Sequence, residues 1–385
     1  MTYQLETVLV LAAVAAACAV PGVFLLLRRM ALVSDAISHV LLLGIVVAYF
    51  VVKDLSSPWL FLGASLSGVL TVAAVELLQR SRLIASDAAI GLVFPAMFAL
   101  GTLFASMYLR NTHLDVDRVL GGSPEYSIMF DRFTWNGENI APRSLIVMLG
   151  VFLANIALMG VFYKELKLAT FDAGLAATLG FAPALLHYGL MTMVSFTCVA
   201  AFDAVGPVCV VALLVVPAAS AYLLTDRLSV MILLSIGIGV AGASLGTITA
   251  LALDTNIAGT VATTQGMIFG FVYLVAPKRG LIAFAMKRWH QRRRFHETTL
   301  AIHLFQHEGT PAEPEESRYD GLHRHLHWLP VDVATVVKRS ERHGLVEQRG
   351  ELLKLTNAGR ERAQQVLGTE LFRREAKISE PHSQT

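Results

Sequence analysis

Along residues 1–286 the apolar positions neither alternate nor keep to one helical stripe; they run in long uncharged stretches. A hydrocarbon core about 30 Å thick requires about 20 such residues per helix. The runs predict spans near 7–27, 31–52, 59–79, 88–109, 144–163, 181–201, 206–224, 229–253 and 259–277. The sixth and seventh merge through Asp203, Gly206 and Pro207, so nine spans is the count and eight its rival. After Met286 the pattern changes. Residues 297–308 read as a helix, 309–318 as a Gly-, Pro- and Glu-rich loop, and 330–343 as a second helix closed by Gly344. Residues 345–348 and 352–355 form two short strands around Arg349-Gly350, a hairpin turn. Thr356 then caps a last helix over 357–367. The fold class is an all-α polytopic membrane bundle followed by a small α+β cytoplasmic domain. Its parts are a transmembrane domain (1–286), a basic juxtamembrane linker (287–296), a tail domain (297–368) and a flexible end (369–385).

Composition sharpens this picture. Of 385 residues 55% are hydrophobic and 16% charged, with a mean hydropathy of +0.59. Ordinary globular domains are about 45–50% apolar and about 25% charged. A wholly cytosolic enzyme is excluded, as is a disordered, collagen-like or disulfide-stapled chain. Cys18, Cys198 and Cys209 all fall in apolar runs without a C-x-x-C pair, and read as small core residues. No Lys or Arg precedes the first apolar run, which argues for a retained span over a cleaved signal peptide.

The net charge of +2 hides a segregation. Arg28 and Arg29, Arg80 and Arg82, Lys164 and Lys167, Arg227, and Lys278 and Arg279 all follow odd-numbered spans. The loops after even-numbered spans hold Lys53, Asp54, the 110–143 segment, Asp203 and Asp254, and 110–143 carries four Arg against five acids. By the positive-inside rule the N-terminus is outside and the C-terminus cytoplasmic.

Charged groups inside spans are costly and mark function by default. Asp35 and His39 stand at i and i+4 on the second span, one turn apart, with Ser38 beside them. A carboxylate and an imidazole so placed suit a divalent cation such as Mn, Fe or Zn. An Asp–His pair tying two helices together is the structural alternative. Two ligands make an incomplete shell, which suits an ion in transit. Asp203, at the outer end between two spans, is a second candidate, against a solvated loop acid. Glu76 and Asp87 read as interfacial, and His187 as a hydrogen-bonded helix contact. Gly242-x-x-x-Gly246 and Gly266-x-x-x-Gly270 are close-packing patterns that serve a bundle or a dimer. Pro95, Pro183, Pro207 and Pro217 mark kinks. No phosphate-cradling G-x-x-x-x-G-K-[ST] loop occurs, so the chain is not expected to be an enzyme, and energy for uphill transport must come from a partner or an ion gradient.

The segment from Arg29 to His39, followed by Leu43-Gly44, resembles the second-span signature of the manganese/zinc/iron ABC importer permeases. Residues 86–92, 171–180, Phe202-Asp203-Ala204-Val205-Gly206 and 213–219 are similar to later segments of that family, in order, over roughly 5–278. Asp87-Ala88-Ala89 departs from the family's frequent Glu-Asp-Thr. The resemblance implies a permease whose pore is built with a second copy or a similar permease, served by cytoplasmic ATPase subunits and an extracytoplasmic metal-binding protein. It implies that Asp35 and His39 line the metal path. It also implies that residues 165–180, with Glu165, Phe171, Asp172, Leu175 and Gly180, dock the ATPase. The metal is cargo, with no permanently bound cofactor. The rival class is an ion-gradient-coupled secondary metal transporter, which would want more intramembrane acids than this chain carries. Mn, Fe and Zn are not distinguished by these ligand types.

In the tail, 287–294 is a basic, Trp-containing run that suits an anionic lipid surface. The helix–hairpin–helix order, with Leu345-Val346-Glu347 and Leu355-Thr356-Asn357-Ala358-Gly359, resembles the winged helix of iron-dependent repressors. Lys338, Arg339 and Arg342 on its second helix suit phosphate or protein contacts. A regulatory or assembly role ranks above nucleic-acid binding. His323, His325 and His327, with His303 and His307, could hold metal at low affinity or be simply solvated.

Overall fold

The structure, a computed structural model, describes residues 3–53, 57–81, 83–108, 132–135 and 138–379. Expectations for Asp54, Arg82, 110–131, Asn136 and Gly137 lie outside the described residues. The chain divides into two compact units, Met1–Leu281 and Ile282–Thr385.

Among the described residues, unit 1 is helical apart from one hairpin. Its elements are α1 (Tyr3–Leu27), α2 (Ala31–Val52), α3 (Pro58–Arg80), α4 (Ser86–Tyr108), β1 (Arg132–Trp135), β2 (Glu138–Pro142) and α5 (Arg143–Val161). Two short helices follow, α6 (Tyr163–Phe171) and α7 (Ala173–Thr178). Then come α8 (Pro183–Val205), α9 (Pro207–Leu224), α10 (Leu228–Leu253) and α11 (Ile257–Val275). Among the described residues nine helices are long and apolar enough to cross a membrane. The merged sixth and seventh runs are two helices because Gly206 adopts φ 78°, a backbone turn open to glycine, and Pro207 starts the next helix where its missing N–H does no harm. The antiparallel β1–β2 hairpin, with a bulge at Phe133/Thr134, was not foreseen in the polar 110–143 segment. Arg132 at its start pairs at 2.5 Å with Glu6, which is buried in the first turn of α1.

α1 is the centre of the bundle and packs on α5, α8, α9 and α10. Its alanines let four neighbours approach; a methyl group on Gly22 would overlap the Leu214 carbonyl of α9. Buried polar groups are joined between helices. Asn155 donates to the Ala17 carbonyl (3.1 Å) and to Thr197 Oγ1 (2.9 Å), and Ser195 donates to the Ser65 carbonyl (2.8 Å). Inside lipid such bonds are needed, because no water is there to take their place.

Unit 2 is small and α+β. It comprises α12 (Leu281–His307), α13 (Glu313–Glu316), α14 (Leu322–His325), α15 (Pro330–Arg342), an antiparallel hairpin of β3 (Val346–Arg349) and β4 (Leu352–Leu355), and α16 (Asn357–Ser379). Four expectations are corrected. The basic stretch 287–296 is not a linker apart: α12 runs through it unbroken, because neither Gly nor Pro occurs between Gly280 and Gly309. The supposed loop 309–318 contains α13, and the last helix continues past residue 367 to Ser379. The hairpin turn is Gly350-Glu351, with Gly350 at φ 67° and Arg349 still paired with Leu352. The core of this unit joins Leu300, Ala301 and Leu304 of α12 to Leu322, Val333, Val336, Val337, Val346, Leu353, Leu355 and Ala363.

Candidate metal pathway and coupling segment

Helix α2 buries Val33, Ala36, Ile37, Val40 and Leu41 against the bundle. Asp35 and His39 lie off that face, one turn apart. Asp35 Oδ1 is 3.6 Å from His39 Nε2, and their side chains are 49% and 31% exposed. Phe94 and Phe98 of α4 wall the imidazole, at ring centroid distances of 5.4 and 5.8 Å. Ser38 is not part of this open face: it is buried and donates to the Ser34 carbonyl (2.9 Å). A half-open carboxylate on a span is incompatible with bare lipid, where a charge near the helix centre costs about 3 kcal/mol or more. The pair requires a polar neighbour, a water path or an ion.

Asp203 stands in the last turn of α8, exposed, and not in a connection beyond it. His187 sits near the other end of α8, about 24 Å of helix away at 1.5 Å per residue. There it faces Arg28, whose Nη1 lies 3.2 Å from His187 Nδ1. Arg28 Nε also donates to Thr170 Oγ1 of α6 (3.2 Å), while its Nη2 is buried without a hydrogen-bond partner. Burial holds the Arg28 pKa below the usual guanidinium range. Beside it the Tyr188 hydroxyl donates to Glu76, which Arg80 also contacts at 3.2 Å. Hydropathy placed Arg28 and Glu76 only as charges at span ends. Apart from Arg80, one turn from Glu76, the partners named here are more than 100 positions away, so no local pattern signals them.

The segment between α5 and α8 carries a run of exposed apolar side chains. Phe171, Leu175, Leu179 and Phe181 are exposed, at 63%, 47%, 61% and 37%. Asp172 caps α7 by accepting from the Leu175 N–H (2.9 Å), and Gly180, at φ 87°, closes the turn. Glu165 is set apart from this ridge, with its Oε2 buried and unbonded. Leu179 and Phe181 complete the ridge and were not singled out in the sequence.

The two small-residue patterns have different fates. Gly242 and Gly246 of α10 meet the Gln265 side chain and the Val261 backbone of α11, and Gln265 Nε2 donates to the Gly239 carbonyl (2.9 Å). Gly266 and Gly270 have nothing within 4 Å of a Cβ position, so they serve no contact inside the described bundle.

In unit 2, Lys338 and Arg342 are exposed. Arg339 is not available to a phosphate: it pairs with the buried Glu297 and donates to the Arg293 carbonyl (2.7 Å). The histidines separate too. His323 Nδ1 is 2.7 Å from the Asp320 carbonyl and His327 is exposed, whereas His303, His307 and His325 gather around Glu316. Burial pushes the His303 imidazole below its ordinary pKa.

Nine apolar helices with a half-open carboxylate–imidazole pair on one face define a multi-pass membrane transport subunit. The model of the ABC 3 transport family matches residues 1–276, and the chain belongs to that family as the permease component of an ABC importer. It is 44% identical over 359 residues to the zinc transport system membrane protein TroD of Treponema pallidum, covering 92% of this chain and 96% of the relative. That span reaches into unit 2. It is 42% identical over 269 residues to the manganese transport system membrane protein MntD of Bacillus subtilis, covering 70% and 90%. Among solved structures, a chain of PsaBC from Streptococcus pneumoniae in complex with Fab matches with a TM-score of 0.61 at 26% identity, over 72% of this chain and 94% of that one.

Proposed function

We propose that the cargo is a divalent transition-metal ion, Mn, Zn or Fe, moved past Asp35 and His39. The single observation that carries the reading is this pair: a carboxylate and an imidazole 3.6 Å apart, half open, on a helix otherwise packed into an apolar bundle. The relatives' zinc and manganese systems agree with that donor chemistry. One oxygen and one nitrogen donor replace part of a cation's lost hydration without completing a shell, so the ion can leave. A second permease, the same chain or a similar one, would bring a second pair and close the path. The ion is cargo at this pair, entering and leaving with each transport cycle.

Energy enters from separate cytoplasmic ATPase subunits, with an extracytoplasmic binding protein delivering the ion; the chain itself hydrolyses no ATP. The exposed Phe171–Leu175–Leu179–Phe181 ridge is the ATPase contact. Arg28 supports a route from ridge to ligands, since it bonds Thr170 of α6 and ends α1 just before the turn into α2. This orientation puts the ridge and C-terminus inside and the N-terminus outside. Unit 2 is a regulatory or assembly module in this scheme, and DNA reading is disfavoured by the engagement of Arg339 with Glu297.

Radiometal uptake, normalised to membrane protein, tests the reading. Asp35→Asn and His39→Ala should each lower uptake about tenfold or more while expression and ATPase assembly stay normal. Full uptake in both would end the ligand assignment. Uptake that a protonophore abolishes in vesicles without any ATPase would instead establish the ion-gradient class.

A further inference from the structure

A second ligand cluster lies wholly within unit 2. Leu300, Ala301 and Leu304 turn into the core of that unit, which sets the rotation of α12. His303 and His307 are thereby placed side by side, one turn apart, with ring centroids 4.9 Å from each other. The chain leaves the helix at Gly309 and comes back through α13, whose last residue is Glu316. One donor atom from each of His303, His307 and Glu316 lies within 4.8 Å of the other two. Glu316 is further held by His325, whose Nδ1 is 2.9 Å from Oε2. The neighbouring cation Arg318 is turned to Glu351 at 2.7 Å and leaves the cluster to imidazoles.

Two borderline imidazoles with one carboxylate oxygen suit Mn, Fe, Co, Ni or Zn, whereas Ca and Mg favour shells of oxygen. The arrangement is more enclosed than a surface pair: the His303 side chain is 12% exposed and that of Glu316 23%. We propose that His303, His307 and Glu316 form a site for one divalent transition-metal ion, with His325 orienting the carboxylate. The ion is bound by neutral imidazoles and the ionised Glu316 carboxylate, the forms in which these groups ligate metal. It ties α12 to the irregular 309–325 segment, and with three protein ligands it is retained, not passed on. The site does not depend on the transport reading, because it shares no residue with the Asp35–His39 pair.

The test uses the detergent-purified full chain, stripped by chelator and titrated with Zn or Co(II), in an Asp35→Asn/His39→Ala background that removes the other pair. One equivalent should bind, and Co(II) should develop the ligand-field absorption of a nitrogen–oxygen site. His303→Ala and His307→Gln should each weaken binding at least about tenfold and abolish that absorption; His325→Ala should weaken it about tenfold. His323→Ala should change neither, since His323 is bonded to the Asp320 carbonyl. Unchanged affinity in His307→Gln overturns the proposal whatever His303→Ala does to folding. Equal loss in His323→Ala overturns it as well.

Discussion

The pair on α2 and the pair on α12 share one spacing and part to different ends. Asp35 and His39 keep a side of α2 that the bundle leaves half open, with the carboxylate 3.6 Å from the imidazole. His303 and His307 occupy a helix whose neighbouring segment folds back to supply Glu316 and His325. Both pairs are i, i+4; the difference is the third element. An ion pathway needs ligands that a cation can leave, whereas a retained ion needs a shell that one chain completes. Buried charge is paired in both units: Glu297 of unit 2 is met by Arg339 and by His343 at 3.2 Å, and Glu6 of the bundle by Arg132. The half-open Asp35–His39 pair stands apart from both.

The strongest way to break this contrast is to unpair the charge that unit 2 keeps paired. Arg339→Met leaves Glu297 buried without its guanidinium, and loss of one partner of a buried pair costs about 3 kcal/mol or more. Amides of β3 and β4 should then exchange about a hundredfold faster, while those of α1 stay protected. Equal protection in the variant would mean that His343 alone satisfies the carboxylate.

Next in size is the link between ridge and ligands. Arg28→Ala should lower the number of ions moved per ATP hydrolysed about tenfold in proteoliposomes with the partner ATPase, with hydrolysis maintained. An unchanged ratio would reduce the Arg28–Thr170 contact to packing.

A smaller shift is expected from changing the donor type. His39→Asp should retain several-fold more Mn than Zn uptake, about fivefold, because a carboxylate favours the harder ion. No change in preference would mean that selectivity is set away from His39.

The smallest effect is expected from removing residues 295–385. Uptake should stay within about twofold at matched membrane levels, because each unit has its own core. Loss of uptake would make unit 2 part of the transport machinery.

Hydropathy alone determined the span count to within one, since about 20 uncharged residues have no other stable place than a bilayer. It also singled out Asp35 and His39, because a charge within such a run stands out against its surroundings. The merged sixth and seventh runs needed the backbone of Gly206 to be separated. Period and turn chemistry gave the order of elements in unit 2 but not the continuous α12, whose basic stretch reads as a linker by composition and as helix by backbone.

What only tertiary structure decided is which distant groups meet. Gly242 and Gly266 head identical patterns, yet Gly242 of α10 is covered by Gln265 of α11 whereas Gly266, on α11 itself, meets nothing within 4 Å of a Cβ position. Arg339 reads as an exposed helix cation until Glu297 takes it. Glu316 carries no local mark among the four acids Glu308, Glu313, Glu315 and Glu316, and it becomes a ligand candidate only because α13 returns to His303 and His307. Hydrophobicity and turn propensity are properties of neighbouring residues and can be read along the chain. The geometry of ligands and of buried ion pairs depends on packing between segments remote in sequence, and one chain without its fold does not contain those distances.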